Sequence, residues 1–174
     1  IGVMNFKGEV LKLQMGIPFT LRDNMECVDE ICHHVQQFIG HLKLDKQKIL
    51  KIHFSLCGRV NPELGYSHSF FNFGERPLGD ILTERLGFDT AIDNDSRTML
   101  YGEYIKGIVK GVKNVLFINI GWGLGMGIMI DGKLYKGKSG FSGEFGHNYG
   151  YDNQIICHCG KKGCLETENS CAAL

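Results

Sequence analysis

The chain has 174 residues, 43% of them apolar and 22% charged, which is ordinary globular composition and argues against disorder. Lys plus Arg and Asp plus Glu both number 19, so the net charge is zero. A stretch that grips nucleic acid itself usually carries a basic face, and this balance weighs against one here. No run of about 18 apolar residues is present to span a membrane. The opening "IGVMNFKGEV" has no basic start followed by an apolar core, so it is not a secretory leader. It begins without methionine inside what reads as a strand, and we expect a piece of a longer protein. Seven cysteines, an odd number with three of them clustered, suit a reducing cytoplasm better than a disulfide framework.

In chain order, "IGVMNF" and "EVLKLQM" read as two strands joined at the Lys7–Gly8 turn. Met25, Val28, Ile31, Val35, Phe38 and Ile39 recur at near-helical intervals, with Asp23 or Asn24 as the cap. His33, His34 and His41 then fall on a solvated or partly packed helix face. "KILKIHFSLCG" alternates as a strand ending in Gly58, and Pro62 and Gly65 mark a turn after it. Pro77 and Gly87 bracket a helix, Pro at the start and Gly past the end. "FDTAID" is a short strand, and a helix entered through Asn94 and Asp95 runs through "NDSRTMLYGEYIKGIV".

The next segment, "NVLFINIGWGLGMGIMIDGKLY", reads as strand, glycine turn and strand, then a hairpin at Asp131–Gly132 and another strand. This order predicts an α/β protein with a mixed sheet. We place a lobe boundary near Gly111 to Asn114, giving a first α/β lobe over 1–112 that lacks its first strand. The start of a second lobe occupies 113–174.

Three stretches carry chemistry. In "CHCGKKGC", Cys157, Cys159 and Cys164 supply thiolates, and Gly160 and Gly163 allow the reversal that turns all three inward. His147 is the natural fourth ligand, making a Cys3His set suited to structural zinc. His158, between two ligands, is expected to point away. Cys27, Cys32, Cys57 and Cys171 follow no such pattern and default to small buried apolar residues.

In "IDNDSR", Asn94 and Asp95 stand where a strand meets a helix, a common place for ligands in α/β sheets. A carboxylate there can act as a general base and an amide can bind a hydroxyl. Plain helix capping explains the same residues. In "GWGLGMG", Gly121, Gly123 and Gly125 would let a backbone approach a phosphate, or simply shape a hairpin. The run is neither the dinucleotide G-x-G-x-x-G nor a Walker loop.

Taken together, "GRVN", "DNDSR", the glycine hairpin with "DGKLYKG", "GEFGH" and "CHCGKKGCLE" resemble, in order, the ROK family (repressor, open reading frame, kinase). That family holds bacterial sugar kinases and sugar-responsive transcriptional repressors. The resemblance implies the actin-like, ribonuclease H-like fold, with two lobes around a cleft, incomplete in this chain. It implies zinc on His147, Cys157, Cys159 and Cys164. It implies sugar binding by Asn94, Asp95, Glu144, His147 and Glu166, with Gly58 lining the same pocket.

In a kinase Asp95 would be the catalytic base, with ATP and magnesium as co-substrate and cofactor and Gly121, Gly123 and Gly125 near the phosphates. Two departures stand out. The first phosphate-binding turn of the family is missing before Ile1. Trp122 stands where the kinases carry a small hydroxyl residue. The first strengthens the expectation of a fragment; the second favours a cytoplasmic sugar-responsive repressor whose helix-turn-helix lies outside this chain, in a homodimer or homotetramer. An ATP-dependent kinase of a hexose or N-acetylhexosamine is the rival.

Overall fold

The computed structural model describes residues 1–173. Strands β1 (Gly2–Met4) and β2 (Val10–Leu13) form the antiparallel hairpin expected at the start. Asn5 closes its turn, the side-chain oxygen accepting the backbone N–H groups of Lys7 and Glu9 at 3.0 Å. Helix α1 (Met25–Gly40) begins at Asn24, whose side chain accepts the Cys27 N–H at 2.9 Å. That hydrogen bond satisfies one of the donors every helix start leaves open.

β3 (Ile52–Leu56) follows, then a two-residue strand pair, β4 (Val60–Asn61) and β5 (Tyr66–Ser67), around the expected Pro62–Gly65 turn. Helix α2 (Leu78–Leu86) runs between Pro77 and Gly87, which takes the left-handed φ of 72° that ends a helix without penalty. β6 (Thr90–Asn94) lies parallel to β3 and feeds directly into helix α3 (Asp95–Lys106).

The main core lies where α1 and α2 cover the β3–β6 pair. Val28, Val35 and Ile39 of α1 meet Ile81, Leu82 and Leu86 of α2 over Ile92 of β6. Each such side chain contributes about 1.5–3 kcal/mol when fully buried. Cys27 and Cys32 are buried there as expected, whereas Cys57 and Cys171 are exposed.

β7 (Val115–Ile120), β8 (Leu124–Ile130) and β9 (Lys133–Leu134) form a separate antiparallel sheet. Asp131 and Gly132 make its second turn with φ of 51° and 76°. Two successive positive φ values match the right-handed twist of the flanking strands, which is why Asp–Gly is such a strong hairpin signal.

The single mixed sheet expected from the sequence is not formed. The strands of the described residues fall into four sheets, three of two strands and one of three. Helix α3 leaves β6 directly and packs against β7 and β8, so β6 and β7 meet through a helix rather than edge to edge. This helix also stops three residues earlier than its pattern suggested. The Gly107 N–H bonds to the Glu103 carbonyl at 2.9 Å, and the Glu103 carboxylate turns back to accept the Ile108 N–H at 3.1 Å.

The close seat of α3 on β8 explains part of the glycine run. A Cβ on Gly127 would stand 2.9 Å from the Ser96 carbonyl oxygen and 2.9 Å from Leu100 Cβ, and one on Gly125 would overlap the Ser96 hydroxyl. Glycines two apart share one face of a strand, so they form a flat bed for the helix. Gly127→Ala is therefore expected to lower stability by about 1–3 kcal/mol in urea unfolding. Gly102→Ala, on the open side of α3 with nothing within 4 Å, should instead raise it by about 0.5–1 kcal/mol. Equal effects at the two positions would refute this account of the glycines.

Candidate functional site

The β6–α3 junction is built by Asn94. Its side-chain oxygen accepts the Arg97 N–H at 3.1 Å, so it is the helix cap. Its amide nitrogen has a second occupation, donating to the Gly58 carbonyl at 3.0 Å and to Asp95 Oδ1 at 3.1 Å. Asp95 Oδ1 also accepts the Ser96 N–H at 2.7 Å. Its other carboxylate oxygen takes no hydrogen bond from the described residues. Capping and ligand presentation are thus compatible: one set of hydrogen bonds fixes the turn and leaves an oxygen of Asp95 available.

Arg97 is the positioning residue that the sequence reading passed over. It is 2% exposed, and its Nε donates to Asp93 Oδ1 at 2.7 Å. Its Nη2 donates to the Val60 carbonyl at 2.9 Å and Nη1 to the Gly140 carbonyl at 2.5 Å. Nη2 also lies 2.6 Å from Asp93 Oδ1. A buried guanidinium is tolerable only when its donors are matched in this way. The consequence is that the Gly140 loop, which leads to Glu144 and His147, is fastened to the Asn94–Asp95 turn.

Glu144 precedes a single 3-10 turn, Phe145–His147, pressed against the backbone of β8: a Cβ on Gly146 would overlap the Leu124 carbonyl. Burial raises the Glu144 pKa, with Arg59 and Arg97 pulling it down and the charges of Glu166 and Asp95 pushing it further up. Burial lowers the His147 pKa, opposed chiefly by Glu166. Asp95, Glu144, His147 and Glu166 therefore share one electrostatic environment, and Asn94 and Gly58 join it by hydrogen bonds. Of the six expected residues, Gly58, Asn94 and Asp95 are joined by hydrogen bonds, and Glu144 and Glu166 each lie beside His147.

The cysteine loop folds as a knuckle. Cys157 N–H bonds to the Lys161 carbonyl and Gly160 N–H to the Cys157 carbonyl, both at 2.8 Å. Gly160 and Gly163 take φ of 86° and 75°, which supplies the reversal. One ligand atom each from His147, Cys157, Cys159 and Cys164 lies within 4.8 Å of the others. Cys157 Sγ is 3.5 Å from His147 Nδ1, and Cys159 Sγ is 3.6 Å from Cys164 Sγ. A tetrahedral zinc would set these edges at roughly 3.5 Å and 3.8 Å, given bonds of about 2.0 Å to nitrogen and 2.3 Å to sulfur. The donor set fits a structural metal in both chemistry and spacing. Burial pushes the Cys157 thiol up to about 12, and a cation that displaces its proton would relieve that penalty.

Glu166 opens a short helix, α4 (Glu166–Asn169). Its Oε2 accepts the Leu124 N–H at 2.8 Å. His158 does not point away as expected. Its Nδ1 lies 3.0 Å from Glu166 Oε1 and its ring stands edge-on to His147, with centroids 5.0 Å apart. The nearly buried carboxylate, 12% exposed, attracts a ring nitrogen of the exposed imidazole. No spacing rule could have announced this, because the attraction comes from a residue eight positions on.

At the tip of the β7–β8 hairpin, the Gly121 N–H closes on the Gly123 carbonyl at 3.0 Å, leaving Trp122 at the apex and 84% exposed. Gly123 lacks a Cβ where the Glu166 carboxylate sits. The backbone donors of Gly121 and Leu124 are thus already committed, to the turn and to Glu166.

The chain matches the ROK family over residues 2–174. It is 36% identical over 138 residues to a glucokinase of Halalkalibacterium halodurans, covering 78% of this chain and 42% of that protein. It is 36% identical over 103 residues to the xylose repressor of Bacillus subtilis, covering 59% of this chain and 27% of the repressor. Among solved structures, a ROK family glucokinase from Streptomyces griseus with glucose and AMPPNP superposes with a TM-score of 0.80 at 28% identity. That match covers 97% of this chain and 53% of the other. A ROK family transcriptional regulator homologous to the Escherichia coli MLC protein gives a TM-score of 0.75 at 29% identity, over 94% and 42% of the two chains. The fold is the actin-like, ribonuclease H-like one, and the chain spans about half the length of the glucokinases it matches.

Arg97→Ala should strand Asp93 and two buried carbonyls without donors. A loss of about 3–5 kcal/mol in unfolding free energy is expected. A loss below about 1 kcal/mol, measured the same way, would show that the loop is held by something else.

Proposed function

Because the chain belongs to the ROK family, we propose that it is the sugar-binding effector part of a bacterial transcriptional regulator of carbohydrate genes, stabilised by one zinc ion. Asn94, Asp95, Glu144, His147 and Glu166 bind the sugar, and Gly58 lines the pocket. Carboxylates suit this task because each offers two acceptor oxygens to the donors of neighbouring hydroxyls, and the Asn94 amide adds a donor. His147 would serve twice, Nδ1 toward the metal and Nε2 toward the pocket, where it lies 3.8 Å from Glu144 Oε2.

Zinc, when bound, ties three thiolates and an imidazole into one unit and needs no part in chemistry. Glu166 lies two residues past Cys164, so fixing the knuckle also fixes that carboxylate. Cys159→Ser, at the exposed ligand, is expected to lose the metal on dialysis and to weaken sugar binding at least about tenfold. Retention of one zinc per chain by this variant, read by elemental analysis, would refute the ligand set.

The observation that carries the regulator over the enzyme is Trp122. The hairpin apex expected near nucleotide phosphates presents a bulky indole, and two of its backbone donors are spent elsewhere. Gly123 and Gly125 then make room for Glu166 and Ser96, and Gly121 closes the turn, in place of phosphate binding. In a regulator, sugar would favour one arrangement of the lobes 1–112 and 113–174 and so change the DNA affinity of a helix-turn-helix outside this chain. The acting form would be a cytoplasmic homodimer or homotetramer.

A second reading, an ATP- and magnesium-dependent sugar kinase, draws on the glucokinase relatives and on the uncommitted oxygen of Asp95. There Asp95 would take the proton from the attacking sugar hydroxyl. A coupled phosphorylation assay on the full-length protein, with calorimetry alongside, separates the two. For the regulator we expect binding without turnover and at least about tenfold weaker binding in Glu144→Ala and Asp95→Ala. Turnover that vanishes in Asp95→Ala would establish the kinase instead.

A further inference from the structure

Ser96, in the first turn of α3, is 2% exposed, and a hydroxyl buried to that degree needs partners for its hydrogen bonds. Two neighbours supply them. Asn119 Nδ2, on β7, donates to Ser96 Oγ at 3.2 Å, and Ser96 Oγ donates to Asp95 Oδ1 at 3.3 Å. The first contact sets the direction of the second. An amide nitrogen only donates, so the hydroxyl accepts from Asn119 and keeps its own proton for Asp95.

The backbone around the hydroxyl is shaped to admit it. Asn119 stands opposite Gly125 in the β7–β8 register, and a Cβ on Gly125 would overlap the Ser96 hydroxyl. Capping does not require this arrangement, since Asn94 already accepts the Arg97 N–H. Nor is it local. The other donors to Asp95 Oδ1 are the Ser96 N–H and the Asn94 amide, from residues on either side of it in the chain. Asn119 lies 23 residues past Ser96 and belongs to a different sheet from β6. It therefore ties the Asp95 carboxylate to a part of the fold that does not move with the β6–α3 turn.

We infer that Asn119 is a positioning residue of the sugar site: through the Ser96 hydroxyl it fixes Asp95 Oδ1 and so aims the other carboxylate oxygen at a sugar hydroxyl. This rests on the sugar-binding reading of Asp95 above. A carboxylate held at one oxygen by three donors presents the other in one direction. With the Ser96 hydroxyl no longer oriented, the group has more freedom to turn about its Cβ–Cγ bond and must be ordered again when sugar binds, which costs affinity. Both contacts are long for their type, so the effect is modest, about three- to fivefold.

The test is calorimetry on the full-length protein with glucose, xylose, N-acetylglucosamine and N-acetylmannosamine. For the sugar that binds, Asn119→Leu and Ser96→Ala should each weaken binding by about three- to fivefold. Leucine keeps the branching and nearly the volume of asparagine but cannot donate, so a residue that only filled space would not show this loss. The double variant should bind no more weakly than Ser96→Ala alone. In an Asp95→Ala background, Asn119→Leu should change affinity by less than about 1.5-fold, because the carboxylate it acts on is gone.

Wild-type affinity in Asn119→Leu would overturn the inference and leave the sugar pocket standing. An undiminished loss in the Asp95→Ala background would do the same, since Asn119 would then act elsewhere. Should Asn119→Leu fail to fold, Ser96→Ala, which breaks the same link from the other side, decides by the same two comparisons. Absence of binding by every sugar to the wild type would overturn the sugar reading itself and this inference with it.

Discussion

A guanidinium can be buried only where several acceptors meet, and in this protein that requirement organises the site. Arg97 draws on Asp93 of its own strand–helix junction, Val60 of a neighbouring strand and Gly140 of a loop 43 residues on. The acceptors come from three separate stretches of chain, and each must be in place for the charge to be tolerated. Satisfying Arg97 therefore sets the distance between the Asn94–Asp95 turn and the loop that delivers Glu144 and His147. The fold positions its polar pocket by the same interaction that would otherwise penalise the core.

The second fastening is the cysteine knuckle, and it works from the other side. His147 belongs both to the loop that Arg97 reaches through Gly140 and to the ligand cluster, so the two fastenings meet at one residue. Leu124 links them again: its N–H holds Glu166, and its carbonyl packs on Gly146 beside His147. A carboxylate, an imidazole and a strand end are tied to one another before any ligand arrives. Such preorganisation lowers the ordering cost of binding, which is why a pocket of short polar side chains can hold a small, well-hydrated ligand.

What the sequence made legible was local. Asn24 as a cap, Pro77 and Gly87 around a helix, and Asp131–Gly132 in a hairpin each depend on a few adjacent residues, and each stands in the structure as expected. The clustering of His147, Cys157, Cys159 and Cys164 was legible for the same reason, since glycines at 160 and 163 announce the reversal. Apart from the early end of α3, where Glu103 turns back on Ile108, the misses were non-local. Arg97 reads as a surface residue of a helix until the Val60 and Gly140 carbonyls are known to meet it. His158 reads as a spacer until Glu166 turns toward it. The separation of β6 from β7 and β8 follows from where α3 packs, which no window of sequence contains. The glycines at 123, 125 and 127 were visible, but their neighbours Glu166, Ser96 and Leu100 were not.

The same distinction bears on how one fold can serve both an enzyme and a sensor. Recognition of a sugar needs acceptors held at fixed places, and under the proposed function the two fastenings would supply them without reference to a nucleotide. Phosphoryl transfer needs more: free backbone donors and open space where the phosphates would lie. At the β7–β8 apex two nearby donors are spent on Gly123 and Glu166, and an exposed indole stands at the turn. Removing catalysis at that apex would leave Arg97, the cysteine knuckle and the carboxylates untouched, because none of them relies on Trp122 for a hydrogen bond. A site divided in this way can change its output at one turn while keeping its ligand.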